Sequence, residues 1–412
     1  MYNTNSASNT LIGKSFLTKT LYIISVFTLI VLLTISCSSN DTQSSDSFTD
    51  NTSLESRDQF GINSETIISL TAYDSIGVEL GDANYVFGAI SEAKTGPNGN
   101  IYVLDRMKCT IFKYSPEGEF IQRIGREGNA PGELLQSYFF AVMDDRSISL
   151  HDAENGWIRF DSTGECVNSG IMIIPRPFPL QFMALDSVNI LGMINELGRD
   201  DNALLTTQRI CLWNANSPEP IIAEYFSKEY SIEIGENYQL NMRDLVEIDY
   251  FPILFTAGND FVCIAPEPRT EPVLYLYHKD SSVVDTLVLP YPEVVRTEAE
   301  LSARKQYVEE LFYATTNRNQ TVEWEPFGNK PMILSLGVDS LNRIWVQRGF
   351  EVEPTFDLYD ASGTHLATAV LSGRNDTFHW IFHISRHGIL AIPEDPESFY
   401  SVYLIQFQNN DR

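Results

Sequence analysis

Gly96-Pro97-Asn98-Gly99-Asn100-Ile101-Tyr102-Val103-Leu104-Asp105 reads as a reversal followed by a strand: Pro and Gly close the turn, and a run of β-branched, aromatic and aliphatic residues leads out of it. The chain goes on through Ile111-Phe112-Lys113-Tyr114-Ser115-Pro116-Glu117-Gly118-Glu119-Phe120-Ile121, which is strand, turn and strand again. The same phrase returns about 47 residues later, a spacing that marks a repeat architecture. There it is Ser147-Ile148-Ser149-Leu150-His151-Asp152 with Trp157-Ile158-Arg159-Phe160-Asp161-Ser162-Thr163-Gly164. A third copy is Arg343-Ile344-Trp345-Val346 with Phe356-Asp357-Leu358-Tyr359-Asp360-Ala361-Ser362-Gly363.

Weaker copies fill the remainder. Val188-Asn189-Ile190-Leu191-Gly192 goes with Gln208-Arg209-Ile210-Cys211-Leu212-Trp213, and Phe261-Val262-Cys263-Ile264 with Val273-Leu274-Tyr275-Leu276-Tyr277. Gly388-Ile389-Leu390-Ala391-Ile392 goes with Val402-Tyr403-Leu404-Ile405. Six units of four short antiparallel strands, repeated radially, make an all-β, six-bladed β-propeller, in which each sheet buries both faces against its neighbours. Such a ring must close, and the strand-like stretch Glu65-Thr66-Ile67-Ile68-Ser69-Leu70-Thr71 can supply the missing strand of the last blade. One segment breaks the β pattern. Thr297-Glu298-Ala299-Glu300 has capping-box spacing and opens a helix of about 18 residues, a helical insertion over roughly 295–320. As a lid over a channel mouth it would present Arg304 and Lys305 as its cationic face; as a surface insertion it would pack on a blade rim.

Composition agrees with sheets and narrows the partners. The 412 residues are 12% aromatic and only 20% charged, which suits β faces better than helical bundles. Lys and Arg number 28 against 55 Asp and Glu, a net charge of −27 that repels phosphate backbones, so no nucleic-acid partner is expected.

The N-terminus is an address. Lys14 and Lys19 precede an apolar run over residues 21–35 that is short for a membrane span, and Ser36-Cys37 follows. Leu33-Thr34-Ile35-Ser36-Cys37 resembles a bacterial lipobox, with Thr34 where that pattern prefers Leu. The resemblance implies cleavage before Cys37 and lipid on its thiol, hence a chain held at the extracytoplasmic side of the cell envelope, at the outer membrane, by a lipid anchor. Residues 37–60 are rich in Ser, Asn, Asp and Thr and read as a flexible tether. The expected organisation is therefore a signal peptide over 1–36, the tether, and a propeller over 61–412.

Gly96 to Asp105, Gly118 and the run Ile124-Gly125-Arg126-Glu127-Gly128-Asn129-Ala130-Pro131-Gly132-Glu133 together look like the six-bladed propeller lipoproteins of bacteria, of the NHL-like or TolB-like kind. The resemblance implies a binding or scaffold module for a peptide, glycan or protein partner, with no cofactor. The alternative it leaves open is a metal-dependent hydrolase or lyase of the lactonase kind, with Ca²⁺ held by oxygen ligands on the propeller axis.

Other motifs point to structure. His379, His383 and His387 stand at four-residue spacing, but 378–384 reads as strand and 386–388 as a turn, which leaves His379 and His383 as weak metal candidates. Asp105 and Asp152 share a repeat position just after a strand, where a carboxylate can accept turn amides. Gly125, Gly128 and Gly132 lack phosphate-loop spacing and suit a tight link between blades. Cys109, Cys166, Cys211 and Cys263 fall about one per unit without a C-x-x-C pair, and neither G-x-S-x-G nor H-E-x-x-H occurs.

Overall fold

The computed structural model describes residues 66–170, 178–200, 203–233, 253–279, 284–315, 326–372, 380–393, 396 and 398–407. Cys37, the tether and His379 lie outside them. The chain divides into two units, Ser64–Thr297 with Phe327–Arg412, and Met1–Asn63 with Glu298–Pro326.

The first unit is the propeller. Its described strands form six four-stranded antiparallel blades in chain order. Blade 1 is Ile90–Thr95, Ile101–Asp105, Thr110–Tyr114 and Phe120–Ile124; blade 2 is Ser137–Val142, Ile148–Asp152, Gly156–Phe160 and Cys166–Gly170. Blade 3 is Phe178–Ala184, Asn189–Asp200, Ala203–Asn214 and Ser217–Glu233, and blade 4 is Leu254–Ala257, Phe261–Ala265, Val273–His278 and Val284–Val288. Blade 5 is Ile333–Val338, Ile344–Arg348, Thr355–Tyr359 and His365–Leu371. Trp380–Ser385, Gly388–Pro393 and Val402–Phe407 begin blade 6, and the N-terminal strand Ile67–Ile76 completes it.

Burial explains why the middle strands read as unbroken apolar runs. Ile101–Asp105 and Thr110–Tyr114 are buried at every position, because neighbouring blades cover both faces, whereas the outer strand Phe120–Ile124 alternates with solvent. The contacts between blades are apolar clusters. Trp157, Phe182 and Trp213 join blades 2 and 3, with ring centroids 5.1 and 6.2 Å apart along that series. Gly192 is required at this junction: a Cβ there would come within 2.5 Å of the Gln181 carbonyl and of Trp213.

Closure uses the N-terminal segment as an outer strand. Leu70 pairs with Phe407, Ser75 with Tyr403 and Ile76 with Val402, antiparallel, across a bulge at Ala72/Asp74. Before that, Ile67 to Leu70 run parallel to Thr368 to Leu371 of blade 5, so the strand also ties the two last blades into one eight-stranded sheet. That second pairing goes beyond what the sequence pattern predicts.

Blades 1, 2, 5 and 6 keep the expected period. Blade 3 does not: its hairpin Asn189–Asp200/Ala203–Asn214 pairs through twelve positions and its outer strand runs from Ser217 to Glu233. The sequence copies at 188–192 and 208–213 are only the part of this hairpin nearest the short turns.

In the second unit the described residues form the helix Glu298–Thr315, which begins directly after Thr297, as the capping-box spacing predicts, with Glu298 and Glu300 in its first turn. The stem of the insertion belongs to the propeller and is pinned shut: Val295 bridges Asn329, Arg296 N–H donates to the Gly328 carbonyl and Lys330 N–H to that of Val294.

Candidate functional site

The first strand of each blade faces a central channel, and alternation puts every second side chain into it. In blade 6 the row is Ile381, His383 and Ser385, while Trp380, Phe382 and Ile384 turn into the blade. In blade 1 Glu92 and Lys94 flank Ala93, which is buried in the core. The space enclosed is a cavity of about 380 Å³ walled by all six blades.

Its centre is polar and cross-linked. The Lys94 ammonium lies 3.0 Å from the Glu92 carboxylate and donates to the Phe182 carbonyl of blade 3 at 2.7 Å, so one side chain spans from blade 1 past blade 2. Glu92 also accepts the Phe140 amide of blade 2 at 2.8 Å. Burial raises the Glu92 pKa, and Lys94 and the Phe140 amide oppose that rise. His383 is pushed down to about 3, by burial first and by the Lys94 charge second, and is therefore a neutral imidazole.

The two ends of the channel differ. At the end where first and second strands are joined, the turns are short and the mouth is tied across. Arg386 of blade 6 pairs with Asp144 of blade 2 and donates to the Leu185 carbonyl of blade 3 at 3.3 Å, while its Nε donates to His387. Asn342 of blade 5 accepts the Asn259 amide of blade 4 at 2.7 Å. At the other end the first strands begin, and Leu334 and Ile381 stand exposed in the wall. The strands Ser217–Glu233, Val284–Val288 and His365–Leu371 end there too, as does Asn189–Asp200 of the blade 3 hairpin.

Of the residues singled out from sequence, His383 is in this wall on the expected strand and His387 in the expected turn. His383 has the Lys94 cation as its charged neighbour, which disfavours a metal ion. Among the described residues no group of three or more His, Cys, Asp or Glu is placed to hold a metal. The carboxylates in the described lining are Glu92 and Asp339, and Asp339 is engaged by Arg343 at 2.7 Å and by Trp345 Nε1 at 2.8 Å. Arg304 and Lys305 lie on the helix Glu298–Thr315, partly buried and engaged with neighbouring groups. Glu92 and Lys94 escape the sequence reading. Charges two apart in a strand announce one shared face, but that face is a channel only once the strand is known to be innermost.

The remaining motifs are structural. Asp105 and Asp152 are clamps, Gly125 and Gly132 have φ of +75° and +81°, and Arg126–Glu127 after the first pairs with Glu133–Leu134 after the second as a link between blades 1 and 2. The four described cysteines are free thiols, and burial pushes Cys211 up to about 12.

Six blades around one channel define the class: a six-bladed β-propeller, the architecture of the bacterial families that the sequence resembles. Residues 83–183 match the family model DUF5128, described as a 6-bladed beta-propeller. Among solved structures, a member of the DUF4221 family from Bacteroides vulgatus aligns over 82% of this chain and 98% of its own, at 11% identity and TM-score 0.46. A Bacteroides fragilis protein described as exported aligns over 84% and 100%, at 14% identity and TM-score 0.44. Virginiamycin B lyase from Staphylococcus aureus aligns over 80% and 97%, at 8% identity and TM-score 0.41. No curated protein sequence matches the chain.

Proposed function

We propose that this chain is an exported propeller, tethered to the envelope by lipid on Cys37, that works as a binding module for a peptide, glycan or protein partner. The partner docks at the channel end where the first strands begin. The observation that carries this reading is the channel itself: exposed apolar side chains at Leu334 and Ile381 above a polar floor whose carboxylates, among the described residues, are already committed to protein donors. A metal hydrolase needs carboxylates free to converge on an ion, and Glu92 and Asp339 are not. Export and tethering are supported by the signal-like residues 1–37, and among the described residues no helix is long and apolar enough to cross a membrane.

Arrays of peptides and envelope glycans probed with the wild type and with the Leu334→Arg/Ile381→Arg double variant test the reading. Both side chains are exposed, so the variant should melt like the wild type while binding at least tenfold more weakly. Equal binding by the two proteins would reject the channel as the docking site. Ca²⁺-dependent lactone hydrolysis by the purified wild type would replace the binding reading with the enzymatic one.

A further inference from the structure

We propose that the short-turn face at the junction of blades 1 and 2 carries a second site, for a phosphate or sulfate group, built from Tyr102, Lys113 and Arg146. Tyr102 and Lys113 stand opposite each other in the second and third strands of blade 1. Tyr102 is wholly buried, and among the described residues its hydroxyl makes no hydrogen bond of good geometry, with the Asn100 side chain as its polar neighbour. Lys113 is 9% exposed, with its ammonium 5.5 Å from the Tyr102 ring centroid. Arg146, exposed on the turn between the first two strands of blade 2 with φ +67°, is the charge on the surface nearby that both residues sense. Burial first, and the like charge of Arg146 second, lower the Lys113 pKa.

The repeat supplies its own control. The ladder position of Lys113 is occupied in blade 2 by Arg159, opposite Ser149 as Lys113 is opposite Tyr102. Arg159 is fully served: Asp145 at 3.4 Å, Asn216 at 3.0 Å, Ser147 at 3.0 Å and the Ser187 carbonyl at 3.2 Å. In blade 1 the turn position of Asp145 is Asn98, so the counter-ion is missing. Asp145 itself is taken up by Ser147 and Arg159. Elsewhere Lys94 has Glu92, Arg209 has Glu196 and Glu224, and Arg348 has Asp357. In a chain of net charge −27, a buried ammonium, a second cation and an unused phenol O–H left together without an acid are the complement of an oxyanion. Three donors from three separate segments suit the tetrahedral oxygens of phosphate or sulfate, free or carried as an ester on a larger molecule.

The test is calorimetric titration of the full chain, purified in detergent, with inorganic phosphate, inorganic sulfate and a sulfated polysaccharide. The wild type should bind one of them with millimolar or better affinity that weakens as salt rises. Arg146→Ala should weaken it at least tenfold, and Tyr102→Phe, which keeps the packing, should weaken it severalfold without lowering the melting temperature. Tight binding of the polysaccharide with weak binding of the free ions would identify an ester as the source; the reverse would identify the free ion. Absence of binding to all three, or equal binding by wild type and Arg146→Ala, would overturn the proposal.

Discussion

At position 105 one carboxylate gathers four backbone amides: Gly88 at 2.7 Å and Ala89 at 3.1 Å at the entrance of blade 1, and Met107 and Lys108 at 3.1 and 3.2 Å in the turn beyond its second strand. Asp152 repeats the device in blade 2 with the amides of Leu135, Gln136, Glu154 and Asn155. Each clamp fixes the turn and, beyond what its place in the sequence reveals, the approach to the first strand of the same blade. Asp105→Ala would leave those donors, the buried Ala89 amide among them, without their acceptor, and should cost about 3 kcal/mol in denaturant unfolding. Histidines give the protein a pH dependence of definite sign. The fold holds His383 at about 3 and His151 at about 4, in both cases chiefly through burial, against 6.5 for an unperturbed ring. Unfolding therefore takes up protons, so their contribution to stability is fully present above pH 6.5 and declines as pH falls towards 4. His383→Gln should flatten the pH dependence of unfolding free energy across this window, and an unchanged slope would show that the ring is not held neutral.

Elements were legible in proportion to how local their signals are. Blades 1, 2 and 5 declare themselves because short strands end at turns with fixed chemistry, as in Ser115 to Gly118, where Gly118 has φ +81°. Blade 3 is obscured because its hairpin pairs through twelve positions, well past the length of the strands in the other blades, so the repeat phrase covers only part of it. The strand of His383 and the turn of His387 were legible because their context is local, whereas the channel was illegible, since the meaning of Lys94 depends on Phe182 in another blade. The helical insertion could be read from its capping-box spacing, and its paired stem makes it separable. Replacing residues 297–317 with a short Gly/Ser bridge should leave a single cooperative melting transition, since Val294 to Arg296 already meet Gly328 to Lys330. Loss of cooperativity in that deletion would make the helix part of the core.

At the scale of the molecule, two claims hold the account together: an anchor outside the propeller and a ring sealed by its own N-terminal strand. Cys37→Ala should leave the melting transition unchanged while labelled-palmitate incorporation and membrane retention are lost. Incorporation that persisted would reject the anchor. The ring is the central claim. Leu70 and Ile76 are buried, and the strand that carries them joins the outer strand of blade 5 to the third strand of blade 6. Removing it exposes two sheet edges at once. The direct measurement compares thermal unfolding of two soluble versions lacking residues 1–37, one without residues 38–57 and one without residues 38–75. The first should unfold cooperatively at the temperature of the untrimmed soluble chain, and the second should be strongly destabilised or lose its transition. Equal melting temperatures for the two would contradict closure by Ile67–Ile76.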